Sequence, residues 1–316
     1  MGVIKVLITG AAGLVGSYLA EMCVEAGYET VGIDNFFRGS IKNLDGVIKK
    51  SNFKFIKASI LDINGILNEP FDCVAHLAAV VATRHFYESA LDTYSINLNG
   101  TKVMLDWAKK NKVKKFVNAS SSEIYGHPQR IPTREDTPSF FDSTETTTRW
   151  SYALGKMLAE HIANCYKTDF SVSHLRFANI YGPRDIDESH VIPCMLINVH
   201  KGNKIIVNKN ADKIRRSFLY ATDAANAAFL AMSRFESGES FNVGSSSEIT
   251  IAGLLKLIFE LCRKNVEVEF SLTRAGDPER RLLDMAKSRE KLGFLAEVSL
   301  IEGIKQTYEA VKIFHG

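Results

Sequence analysis

The chain lacks the marks of an extracellular, membrane or nucleic-acid-binding protein. Its five cysteines (Cys23, Cys73, Cys165, Cys194, Cys262) lie far apart with no C-x-x-C pair. That argues against a disulfide framework and for reduced thiols. No apolar run approaches the ~20 residues of a membrane span. Excess charge of one sign is also missing: 39 Lys and Arg stand against 36 Asp and Glu, a net +3, with no basic run long enough for a nucleic acid or lipid surface. An anionic ligand must therefore be met by a few local residues. Internal repeats and low-complexity segments are absent too. No metal, nucleic acid or membrane is expected as a partner, and a strand-forming run almost at the N-terminus fits a cytoplasmic protein.

What is present is a chain of 316 residues, 46% hydrophobic, long enough for a large core or two cooperating lobes. The run 3–9 is apolar and β-rich, ends at Gly10, and is followed by helical spacing over 14–27. Further strand-like runs fall at 29–34, 53–58, 72–78, 113–120 and 170–178, with helical stretches notably around 96–111 and 151–167. Continuous apolar strands joined by crossover helices predict a parallel sheet covered on both faces, with ligands at the carboxyl ends of its strands. After about residue 180 the pattern loosens, and an amphipathic helix over 249–264 is the clearest element. The expected division is a dinucleotide-binding domain over 1–180 and a smaller α/β substrate-binding lobe over 181–316, with some exchange of chain between them.

Two motifs point to a dinucleotide. Gly10, Gly13 and Gly16 are spaced G-x-x-G-x-x-G between the first strand and the first helix, where glycine permits a tight turn and close approach to a pyrophosphate. Asp34 ends the second strand 18 residues after Gly16, about where an acid takes the adenosine ribose hydroxyls. An acid there disfavours a 2′-phosphate, so NAD is expected over NADP, with Arg38 as a partial offset. The fold predicted is thus a Rossmann-like doubly wound sheet.

Tyr152 and Lys156 lie four apart on a predicted helix, hence on one face. With the glycine loop, Asp34 and the hydroxyl-rich "SSSEIYG" (120–126), they resemble the extended short-chain dehydrogenase/reductases, in particular the NAD-dependent nucleotide-sugar epimerases, dehydratases and decarboxylases. The resemblance covers almost the whole chain, through "HLAA" (76–79), "NLNGT" (97–101), "RFANIYGPR" (176–184), "RRSFLYATD" (215–223) and "DPERRLLDM" (277–285). It implies oxidation of a sugar C4 hydroxyl to a 4-keto species, with Tyr152 as base, Lys156 beside it and Ser121 sharing the substrate hydroxyl. A neighbouring ammonium and the cationic nicotinamide would favour the phenolate over its ordinary pKa near ~10.

The same resemblance implies a cofactor set of Gly10, Gly13, Leu14, Val15, Gly16, Asp34, Asn35, Ser59, Ile60, Leu77, Ala78 and Ala79, joined by Tyr152 and Lys156. Ser59 stands where family members often carry an Asp for the adenine amino group. Ser121, Ser122, Glu123, Asn179, Arg216 and Arg281 are implied on the substrate side, with the two arginines at the nucleotide's phosphates or ribose. Tyr125 is read as a wall or substrate contact. Glu123 separates subclasses: simple 4-epimerases usually have a small or neutral residue there, whereas dehydratases and uronate decarboxylases have Glu. The expected net reaction is epimerisation or dehydration, with uronate decarboxylation or net 4-dehydrogenation as alternatives and a non-catalytic dinucleotide-binding regulator as the reading from another class. A homodimer is expected through the helices after "NLNGT" and around Tyr152, with Leu105, Trp107, Met157 and Leu158 as candidates that an intrachain core explains as well. The segment 138–149 is read as a loop near the site.

Overall fold

The computed structural model describes residues 3–81, 90–145, 147, 150–185, 188–234, 238–272 and 277–315, without the side chains of 90 and 92. Six strands follow the apolar runs of the first half: β1 (Lys5–Thr9), β2 (Glu29–Asp34), β3 (Phe53–Lys57), β4 (Cys73–His76), β5 (Lys115–Ser121) and β6 (Ser171–Phe177). Three short strands come next, β7 (Ile180–Tyr181), β8 (Ile205–Asn208) and β9 (Arg215–Arg216), then β10 (Leu219–Tyr220) and β11 (Ser240–Val243). The main sheet is seven-stranded and parallel, in the order β11-β6-β5-β4-β1-β2-β3. Chain order reverses between β1 and β4, so a crevice opens above their carboxyl ends, as doubly wound sheets require.

Strand β11 enters this sheet from the second half of the chain, beside β6. Its four residues, SFNV, carry too little periodicity to announce a central-sheet strand. The remaining strands, β12 (Ile249–Thr250), β13 (Val268–Ser271) and β14 (Arg280–Arg281), complete three small sheets: β12-β9-β14, β13-β8 and β10-β7. The amphipathic helix runs Ile251–Cys262, started by Thr250, whose Oγ1 accepts from Gly253 N at 3.0 Å. No helix among the described residues is long and apolar enough to cross a membrane.

Leu105 and Trp107 are fully buried in the core beneath the sheet, where Trp107 Nε1 donates to Leu67 O. These two dimer candidates are thus core residues, while Leu158 is 37% exposed.

Two buried histidines lie in the sheet. His76 sits between Thr9 Oγ1 (2.8 Å) and Thr101 Oγ1 (3.2 Å), and His174 between Asn118 and Asn164. Burial lowers His76 to about 3, helped by the Lys156 charge, and lowers His174 to about 4 against the pull of Glu160. Both fall below the ordinary ~6.5, so the unfolded chain binds more protons in the window between. Stability should be full above about pH 6.5 and decline as pH falls toward those values. A melting temperature that stays flat from about pH 7 to about pH 4 would contradict this.

Candidate active site

The glycine turn is close-packed. Gly10 has φ +71°, and a Cβ there would lie 2.8 Å from Ala78 N; a Cβ on Gly16 would lie 2.1 Å from Gly10 O. Helix α1 (Leu14–Glu25) therefore starts directly on the turn, with no side chain capping its first N–H groups. Above it opens a cavity of about 1060 Å³ lined by Gly10, Gly13, Leu14, Val15, Gly16, Asp34, Asn35, Ser59, Ile60, Leu77, Ala78, Ala79, Ser121, Tyr152, Lys156 and Asn179. The whole cofactor set expected from the sequence faces this one space.

The chemistry of that lining fits NAD. Asp34 is buried at the cavity's edge, Oδ2 accepting from Ala12 N (3.0 Å) and Oδ1 from Phe36 N (2.7 Å). Burial raises its pKa while those bonds oppose the rise. With Asn35 N as a third backbone donor, the carboxylate still keeps lone-pair capacity for a ribose diol. Ser59 spends its hydroxyl oxygen on Leu61 N at 3.2 Å, capping a short turn. Arg38 is drawn to Val81 O (3.2 Å) and Asp185 (3.9 Å). Arg38, expected beside Asp34 from the sequence, lines the cavity too, as do Arg184 and Asp185, to which the sequence reading gave no site role.

At the other end, the Ser151–Asn164 helix presents Tyr152 and Lys156 below the tip of β5. Tyr152 is 8% exposed and hydrogen-bonded to Ser121. Burial pushes its phenol above the usual range; the Ser121 bond opposes that, the Glu123 charge reinforces it, and Arg38 opposes it again. Lys156 Nζ donates to Ala119 O at 2.7 Å, and burial lowers it to about 8 against the charge of Glu160. The anticipated lowering of the phenol is thus not achieved by this chain's own charges, because desolvation outweighs them.

Glu123 forms an ion pair with Arg281, 158 positions away. Parallel pairing of β14 with β9 carries Arg281 there. The guanidinium is 3% exposed, and its Nε and Nη2 are buried with no hydrogen-bond partner among the described residues. Glu123 N in turn donates to Ser121 Oγ at 3.2 Å, so the pair adjoins the Ser121–Tyr152 bond. Ser122 is buried in the same turn; of the expected substrate residues, Ser121 and Asn179 line the cavity, whereas Ser122, Glu123, Arg216 and Arg281 stand behind its lining. Arg216, the register neighbour of Arg281, gives its guanidinium to the carbonyls of Arg215, Pro278 and Glu279. Asn179 holds a left-handed φ of +40° and donates to Ser217 O at 2.8 Å.

Tyr125 is not part of the cavity wall. It is 1% exposed, donates to Asn242 Oδ1 (2.7 Å), accepts from Arg176 Nη1 (2.9 Å), and does not line the cavity. Tyr125→Phe should cost about 1–3 kcal/mol of stability through the acceptor it strands, with turnover kept within a few-fold. Denaturant unfolding beside steady-state rates checks it.

Of segment 138–149, positions 146, 148 and 149 lie outside the described residues. The rest folds back along the strand end: His127 N donates to Phe140 O (2.7 Å), and Asp142 Oδ2 meets both His127 Nε2 (2.9 Å) and Trp150 Nε1 (3.1 Å). The loop is therefore moored to the residue that opens the Tyr152 helix.

Comparison with known proteins agrees with this geometry. Residues 6–244 match the profile of the NAD dependent epimerase/dehydratase family. A UDP-N-acetyl-alpha-D-glucosaminuronate decarboxylase of Bacillus cytotoxicus is 34% identical, over 96% of this chain and 97% of its own. A UDP-glucose 4-epimerase of Mycolicibacterium smegmatis is 32% identical, over 96% and 97%. The crystal structure of a UDP-glucose 4-epimerase from Thermotoga maritima, with UDP-glucose, superposes with a TM-score of 0.88 at 28% identity, covering 99% of this chain and 100% of that one. The glycine turn on a doubly wound sheet, the acid at the end of β2 and the Ser-Tyr-Lys group at the end of β5 suit that family's cofactor and chemistry, and the chain belongs to the NAD dependent epimerase/dehydratase family, as an NAD-dependent enzyme that modifies nucleotide-linked sugars.

Proposed function

We propose that the enzyme oxidises C4 of a nucleotide-linked uronic acid and releases its C5 carboxyl group as CO2. The observation that carries this reading is the Glu123–Arg281 pair, with two buried guanidinium donors unspent, beside the Ser121–Tyr152 bond. A planar guanidinium suits a second carboxylate, and buried donors are costly to leave unmade.

NAD, when bound, supplies the hydride acceptor for C4 and later returns the hydride. Tyr152 takes the proton of the C4 hydroxyl, Ser121 shares that oxygen by hydrogen bonding, and Lys156 keeps a positive charge one helical turn away. With C4 a ketone, the C5 carboxylate is β to a carbonyl. Its C–C bond can then break with the electron pair passing to the C4 oxygen, where Ser121 and Tyr152 stand as donors. Arg281 grips the carboxylate while Glu123 repels it, and that repulsion is relieved as neutral CO2 forms. Such an interaction favours the transition state over the ground state. A proton returns to C5, and the products are CO2 and a nucleotide pentose.

C4 epimerisation is the second reading, favoured by the 32% identical epimerase. Incubation with UDP-linked uronic acids and with UDP-glucose, followed by mass spectrometry and NMR of the products, separates them. Loss of CO2 supports decarboxylation, whereas an isomer of unchanged mass as the only product sinks it. We further propose a homodimer through the helices around Thr101–Lys110 and Ser151–Asn164, where Leu91, Tyr94 and Leu158 are exposed; light scattering tests it. Five unbridged cysteines fit a reducing, cytoplasmic setting.

A further inference from the structure

The helix that bears Tyr152 and Lys156 repeats the same interval once more, at Glu160, so that three functional groups share one buried face. Glu160 is 5% exposed and held in a fork: Arg176 Nε donates to Oε1 (3.0 Å) and Nη2 to Oε2 (2.7 Å). Arg176 also donates to Tyr125 Oη and Glu135 O, and Asn242, the partner of Tyr125, donates to the carbonyls of Thr133 and Asp284. The fork is therefore anchored on four sides, and the carboxylate cannot swing away from the helix.

We propose that Glu160 is a positioning residue for the reaction, its carboxylate locked by Arg176 so that it keeps the buried Lys156 ammonium charged. This rests on the reading that Lys156 serves the chemistry. A structural ion pair alone would not need to stand one turn from the lysine, and an ammonium in this site has little other support. Lys156 faces Tyr152 and Glu160 on its own helix, the Ala119 carbonyl on β5, and on β4 the neutral His76. Of these, only Glu160 brings a negative charge. Around Glu160 stand Arg176 and the neutral His174 on β6, Ser120 on β5 and Tyr125. Burial alone would raise the Glu160 carboxyl, but the Arg176 bonds and charge bring it below the ordinary range, so it remains an anion through neutral pH.

The test reads the lysine directly. Cyanate carbamylates only a neutral amine, and peptide mass spectrometry reports the rate at Lys156 against pH in the protein without added ligand. In E160Q the rate near neutral pH should rise about fivefold, its profile moving to lower pH. Should E160Q fold poorly with Arg176 left uncompensated, the double variant E160Q/R176M removes both charges at similar volume and should fold. It should show the same direction of shift. An unchanged profile in the folded variants would overturn the proposal. The alkaline limb of kcat serves as a separate readout. If carbamylation shifts and that limb moves down with it, both readings stand. If carbamylation shifts while the limb stays, Lys156 is not the group that limits turnover, and the reading of its role fails while the effect of Glu160 on its charge holds.

Discussion

Tyr152→Phe should lower kcat by about 10²–10⁴-fold while leaving NAD affinity within a few-fold. The phenol is the ionisable oxygen bonded to Ser121 at the end of β5, 8% exposed on the cavity wall. Phenylalanine keeps the ring and its packing, so stability should fall by only about 1 kcal/mol, the worth of the lost Ser121 bond. Cofactor binding should survive because the glycine turn and Asp34 lie at the other end of the cavity. Turnover by chromatography of sugar nucleotides, with NAD binding by calorimetry, checks both halves. A variant that retains a tenth or more of its turnover would remove Tyr152 from the role of base.

Breaking the Glu123–Arg281 pair should have the second largest effect, from either half. Arg281→Met leaves the Glu123 carboxylate without its guanidinium in a largely buried turn, and the expected loss is about 3–5 kcal/mol of stability. Glu123→Gln keeps an amide oxygen for Arg281 but leaves the more deeply buried guanidinium without a counter-charge, so a comparable loss of about 3–5 kcal/mol is expected. Both should lose on the order of 10²–10³-fold in kcat if the pair acts on the C5 substituent. Glu123→Gln carries a further signature. The Glu123 charge helps to raise the Tyr152 phenol, so removing it favours the phenolate, and the acid limb of the pH–rate profile should move to lower pH. Full activity in Glu123→Gln on a nucleotide uronate would sink the decarboxylase reading.

Legibility in the sequence followed the distance between partners along the chain. The turn from Gly10 to Gly16, the acid at Asp34 and the Tyr152–Lys156 interval are local: each is set by one turn, one strand end or one helix, and their order along the chain carried the resemblance that gave them roles. Six strands of the main sheet were legible for the same reason, since each is a continuous apolar run. Strand β11 was not, because four residues hold no period and only the empty edge of β6 gives them a place. Leu105 and Trp107 looked equally suited to a core and to a dimer face, and burial against β4 and β5 decided for the core.

Tyr125 and Arg281 mark the boundary most clearly. The sequence by itself determined a doubly wound dinucleotide fold and, through its family resemblance, the serine, tyrosine and lysine of one site, because the strand runs, the glycine turn and the i, i+4 interval are each written within single elements. Only the tertiary structure decided that Tyr125 is a buried strut to Asn242, 117 residues away, and that Glu123 stands paired with Arg281. The physical reason is that a side chain's role in a buried site is set by which charge or acceptor shares its low-dielectric space. That neighbour came here from β11 and β14, strands too short to be foreseen.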